Sequence, residues 1–123
     1  MKETLWVGAG GLAGAVARHL VSTWVTTWLG SAFPYATFLI NVTGSFLLGL
    51  LVGMLQGDAV SPIVPLSLGV GFLGAYTTFS TFTYETVRLL ENGSVFLAGA
   101  NVVASVVVGL LSGIVGLAVG RAA

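Results

Sequence analysis

The sequence predicts an all-α membrane protein of four transmembrane helices, the third broken near its middle. Three observations lead there. Of the 123 residues 56% are hydrophobic and only 7% are charged, with a mean hydropathy of +1.04, more apolar than a soluble domain of this length tolerates. The apolar residues fall into four blocks, 4–28, 33–55, 63–90 and 95–119, each near or above the ~20 residues that a helix needs to cross the hydrocarbon core. The breaks between blocks carry turn chemistry: Gly30-Ser31 ahead of Pro34, Gln56-Gly57-Asp58 with Ser61-Pro62, and Glu91-Asn92-Gly93-Ser94. Connections this short make residues 1–123 a single transmembrane domain.

Composition also removes whole classes of function. Four Lys plus Arg balance four Asp plus Glu, so the chain has neither a nucleic-acid footprint nor a polybasic lipid-binding segment. Without cysteine there are no disulfides, thiolate metal sites or cysteine nucleophiles. No paired carboxylates, Ser/His/Asp set or phosphate-cradling loop points to an enzyme. The expected surroundings are a lipid bilayer.

In the first block, Lys2, a Gly/Ala-rich run and Ala15-Val16-Ala17 imitate a signal peptide. Glu3 stands where such a peptide is basic, so the block is read as a retained helix. Trp6, Trp24 and Trp28 towards its ends suit interfacial aromatic belts. Arg18 lies roughly 20 Å along the helix, where it either snorkels to the far interface or lines a water-filled vestibule. His19 has no second histidine with which to share a metal and is given no role.

The second block carries Asn41, Ser45, Gly49, Gly53 and Gly57 at four-residue spacing, one narrow stripe on a helix. Small residues at such spacing let backbones approach closely in lipid. Asn41 must find a partner across a helix interface or face water. The fourth block repeats the stripe as Asn101, Ser105, Gly109 and Gly113: Asn-Val-x-x-Ser-x-x-x-Gly-Leu-Leu-x-Gly recurs at 41–53 and 101–113. The same 60-residue offset aligns Gly11-x-x-Gly14-Ala15 with Gly71-x-x-Gly74-Ala75. A two-helix duplication of this kind relates parallel hairpins and supplies no inverted repeat.

Inversion is expected from assembly instead. With four spans the termini share a side, so Lys2 and Arg121 lie with the Asp58 loop, and Arg88, with Arg18 if it snorkels outward, lies opposite. Lys/Arg bias sets membrane orientation, and two against two is no bias. The expectation is dual topology and an antiparallel two-fold homodimer.

The third block holds the chemistry. As one continuous helix its 26 residues from Pro65 to Leu90 would run roughly 39 Å against a core of about 30 Å. Gly69, Gly71 and Gly74 weaken it just ahead of Thr77-Thr78, so a break is expected between Gly74 and Thr78. Loose backbone is tolerated at depth where it is buried or lines a cavity, and its carbonyls are hard oxygen ligands suited to Na⁺. Beyond the break Phe79 and Phe82 are interleaved with Thr78, Ser80, Thr81 and Thr83. Ring edges are electropositive, so rings set edge-on solvate a small anion without the fixed charge that would trap it. The competing reading is plain packing or lipid contact. Glu85 is read as a structural partner of Arg88, three residues on.

Gly74-x-x-Thr77-Thr78-Phe79-Ser80-Thr81-Phe82 followed by Glu85, with Asn41-x-x-Gly44-Ser45-Phe46 upstream and Arg18 in the first helix, closely resembles the small bacterial fluoride channels of the Fluc, or CrcB, family. The resemblance covers the whole chain. It implies a multi-pass protein of the cell inner membrane, an antiparallel dual-topology homodimer with two fluoride pathways, and a central structural Na⁺ held by the backbone carbonyls of Gly74 and Thr77. It implies that Phe79 and Phe82 present ring edges to the anion, that Asn41 donates its amide along the pore, and that Arg18 sits at the vestibule. Ser105, Thr78 and Thr81 would add hydroxyls along the path, and Glu85 a carboxylate. Some members carry a tyrosine about one turn before that serine, where this chain has Asn101. The function implied is passive export of fluoride. The alternatives are a proton-coupled small multidrug-type transporter, which needs a deep acidic residue, and a helix-packing subunit, which leaves the Phe/Thr/Ser cluster unexplained.

Overall fold

The computed structural model describes residues 1–56 and 61–123. Gly57 and Asp58, assigned above to the small-residue stripe and to a loop, lie outside the described residues. Helix α1 spans Lys2–Leu29 and stops at Gly30, whose φ of 75° suits a residue without Cβ. After Pro34 the chain enters α2, Tyr35–Leu55. Helix α3 is a π-helical segment, Pro65–Leu73, that closes with one α turn, Gly74–Tyr76. Helix α4, Phe79–Glu91, follows. The turn at Asn92 and Gly93, the latter at φ 76°, leads into α5, Val95–Ala122.

By length and apolarity α2 and α5 each suffice to cross a membrane. Helix α1 has the length, 28 residues, but Arg18 and His19 dilute its apolarity. The π winding of α3 is a difference from the α-helix expected there. Helices of this type are rare and gather at functional sites. Pro65 at its start removes one backbone donor, and glycines 69 and 71 relax the interior.

The helices pair in parallel through glycine. A Cβ at Gly10 would overlap the Ser67 carbonyl, one at Gly14 the Phe72 carbonyl and one at Gly71 the Val7 carbonyl, which brings the backbones of α1 and α3 together. Gly49 against Gly113, Gly53 against Leu117, Gly116 against Phe46 and Gly120 against Leu50 do the same for α2 and α5. The Ser112 hydroxyl adds a hydrogen bond across that seam to the Val42 carbonyl, at 2.8 Å. Fully buried side chains are few, Ile40 and Asn101 being the largest. Packing in lipid rests on such close backbone approach rather than on a thick side-chain core.

Candidate functional site

The site is built where the third apolar block stops being helical. Thr77 has φ −77° and ψ 157°, and Thr78 φ −150° and ψ 120°, so both are extended. In a continuous helix the Thr78 N–H would bond the Gly74 carbonyl. Here it donates to Asn41 Oδ1 at 2.8 Å, while Asn41 Nδ2 donates to the Thr78 carbonyl at 2.9 Å. The carboxamide thus pairs with extended backbone as a neighbouring strand would. It satisfies two polar groups that hydrocarbon could not. The Thr78 hydroxyl then caps α4, accepting from the Thr81 N–H at 3.3 Å and donating to Thr81 Oγ1 at 3.0 Å.

Around the extended residues two cavities open. One of about 300 Å³ is lined by Asn41, Gly44, Ser45, Gly74, Thr77, Thr78 and Phe79. Another, of about 270 Å³, has Arg18, Ser22, Thr37, Thr78 and Thr81 in its wall. Thr78 borders both. A third of about 380 Å³ continues from Ser22 to Glu85, Arg88 and Asn92. Thr78 and Ser22 thus link, as shared wall residues, three separate cavities that follow one another from the Arg88 end of the molecule to the groove beside Gly74.

Arg18 aims its guanidinium at the break, Nη1 donating to the Thr77 carbonyl at 3.4 Å. Phe79 is 79% exposed, and its ring centroid lies 5.6 Å from that of half-buried Phe82 at an interplanar angle of 43°. Ser105 stands apart from these cavities and donates to Asn101 Oδ1 at 3.4 Å.

Glu85 is not tied to Arg88: its Oε1 accepts from the Thr37 hydroxyl at 2.9 Å, and its Oε2 has no partner among the described residues. Sequence proximity favoured Arg88, but half-burial turns the carboxylate inward to α2. Thr37 was missed, although the stripe gave the signal, because 37, 41 and 45 share one helix face. The pairing of Thr43 with the Tyr76 hydroxyl at 3.0 Å was missed as well.

The sequence has relatives. The sequence profile of the CrcB-like protein, Camphor Resistance (CrcB) family matches residues 5–117. The chain belongs to the CrcB family. It is 44% identical over 122 residues to a protein of Geotalea daltonii named fluoride-specific ion channel FluC, covering 98% of each chain. It is 48% identical to a CrcB relative of the same name from Magnetococcus marinus, over 97% of this chain and 98% of the relative. A third, from Acidobacterium capsulatum and also so named, is 46% identical over 95% and 94%. Membership of the CrcB family, together with α2 and α5, makes this a membrane protein.

Proposed function

We propose that this chain is a passive, fluoride-selective channel, not an enzyme, in the cell inner membrane. The observation that carries the reading is the 44–48% identity, over nearly the whole chain, to relatives named fluoride-specific ion channels. The geometry supports it. The cavities supply polar groups along a route, and in the one beside Gly74 the polar side chains are the amide of Asn41 and the hydroxyls of Ser45, Thr77 and Thr78 rather than fixed charges. Binding weak enough to release is what conduction needs. Phe79 and Phe82 offer electropositive ring edges beside that route, and Arg18 supplies a vestibule that gathers anions. Thr81, which takes the Thr78 hydroxyl proton, keeps its own hydroxyl proton for the anion, while Ser105 lies outside these cavities with its hydroxyl on Asn101. Asn41 spends one Nδ2 hydrogen on Thr78 and keeps the second for the pore.

In this reading α3 and α4 are the two halves of one span, and four spans cross the membrane. The site requires a second copy. Phe79 is too exposed, and the groove beside Gly74 too open, for one chain to enclose a conduction path; an antiparallel partner covers both and gives two pathways. The residues present fit a structural Na⁺ on the two-fold axis. Diverting the Thr78 N–H to Asn41 frees the Gly74 carbonyl, and the Thr77 carbonyl keeps a lone pair beyond its long bond from Arg18. Gly74 and Thr77 of each copy would hold the ion, whose positive charge would tie the dimer at its centre.

The test is flux from liposomes. Purified protein under a fluoride gradient should pass fluoride far faster than chloride with no proton requirement. Equal passage of both halides, or flux strictly coupled to protons, overturns the channel reading, the latter in favour of a proton-coupled transporter.

A further inference from the structure

The asparagines of the internal repeat, Asn41 on α2 and Asn101 on α5, stand 60 residues apart, and both reach the same short helix. Asn41 holds Thr78 at the start of α4. Asn101 holds its other half: Nδ2 donates to Thr86 Oγ1 at 2.9 Å, and the Thr86 hydroxyl donates to the Phe82 carbonyl at 2.8 Å. Asn101 is only 1% exposed, and its Oδ1 accepts from Ser105, so both ends of the carboxamide are engaged. Between the two anchors lie Phe79 and Phe82, on the same stripe of α4 as Thr86 at i, i+3 and i+7.

We infer that Asn101 is a specificity-determining positioning residue: acting through Thr86, it sets the rotation of α4 about its axis and thereby the angle at which the Phe79 and Phe82 ring edges meet the anion. No other hydrogen bond links α4 to α5 among the described residues, and α4 buries none of its residues fully, so packing alone leaves its rotation soft. Toward α2 the helix is held at its cap by Asn41 and at Glu85 by Thr37, but its α5 side has no hydrogen bond other than that from Asn101. A pin from the opposite side, one turn beyond Phe82, fixes the rotation that the α2 contacts leave open. The Thr86 hydroxyl accepts from Asn101 while donating within its own helix, so the pin acts on the backbone that carries Phe82.

This role rests on the channel reading, and the two fail separately. Wild-type liposomes report on the channel; the ratio of variant to wild type, per folded protein, reports on Asn101. Asn101→Leu and the near-isosteric Thr86→Val should each lower fluoride flux roughly tenfold, the factor set by one hydrogen bond of ordinary strength, and should narrow the preference for fluoride over chloride. The double variant should be no worse than the poorer single one, because both cut the same link. Thr86→Ser, which keeps the hydroxyl, should restore flux to within about twofold of wild type. If Asn101→Leu does not fold, Thr86→Val carries the test alone. Lower yield or thermal stability with unchanged flux and selectivity per folded protein would make Asn101 mere glue between helices and overturn the inference.

Discussion

Asn41 and Thr78 exchange hydrogen bonds in both directions, Oδ1 accepting from the amide N–H at 2.8 Å and Nδ2 donating to the carbonyl at 2.9 Å. A side chain here completes a backbone ladder, and the completion is what lets the chain leave helical geometry at membrane depth. Two consequences follow from one residue: the extended pair Thr77-Thr78 is stable, and the Gly74 carbonyl loses its helical donor.

Replacing Asn41 with Leu should therefore do more than remove a pore amide. Two backbone groups of Thr78 lose their partners, each at a cost of about 1–3 kcal/mol, and the cheapest relief is for the Thr78 N–H to return to Gly74. Asn41→Leu should lower the thermal midpoint of the detergent-solubilised protein and abolish fluoride flux together. Asn41→Asp keeps the acceptor but not the donor and should retain more stability than Leu while still conducting poorly. A fully conducting Asn41→Leu variant would show that the pairing is dispensable.

Phe79 and Phe82 separate the anion-solvating role from packing. Ile keeps apolar bulk and removes the ring. Because Phe79 is largely exposed in one chain, Phe79→Ile costs little core. Each variant should keep its elution profile and lose about two- to tenfold in fluoride flux, the range set by the edge interactions of an aromatic ring. Unchanged flux in both would make the rings packing elements.

What the sequence disclosed follows from how strongly each feature is written into composition. Apolar blocks and turn residues are local, so α1, α2 and α5 emerge within a few residues of their expected limits. The Asn41 and Gly74 to Phe82 motifs were legible because polarity at depth is costly wherever it occurs. The π winding of Pro65–Leu73 was not, since no residue type marks an i→i+5 turn off from an i→i+4 one and nine residues are too few to separate the two periods. Glu85 misled because its partner, Thr37, is 48 positions away, while Arg88 is three. Asn101 was visible as a repeat of Asn41, but what it holds depends on α4 having been turned toward α5, a tertiary fact.

The glycines make a stability prediction with its own control. A Cβ at Gly14 meets the Phe72 carbonyl and one at Gly116 the Phe46 carbonyl, both backbone atoms that cannot move aside. Gly14→Ala and Gly116→Ala should each cost about 1–3 kcal/mol, the usual penalty of overpacking. At Gly99, also in a helix, a Cβ meets nothing within 4 Å, so Gly99→Ala should be neutral or mildly stabilising. Thermal midpoints of the three variants in one detergent check the contrast. Equal midpoints would mean that the two seams can separate without loss.

The proposed inversion of one copy relative to the other rests on charge placement, and here the packing adds to the sequence. Arg121 Nε donates to Gln56 Oε1 at 2.8 Å, so the end of α5 and the end of α2 share a side, with Lys2 on the same side because α1 runs parallel to α3. Arg18 and Arg88 border cavities that meet at Ser22, toward the opposite end. Two basic residues at each end leave insertion without a preferred direction. The chain has no cysteine, so one introduced after Ala123 is a unique label. In intact cells, a membrane-impermeant maleimide should modify about half of that population, as equal insertion in both directions requires. Adding one lysine beside Arg121 should then shift the labelled fraction strongly to one value, and fluoride flux should fall as antiparallel pairs become scarce. A single-sided wild-type result, or flux that survives complete orientation bias, would rule out the antiparallel dimer.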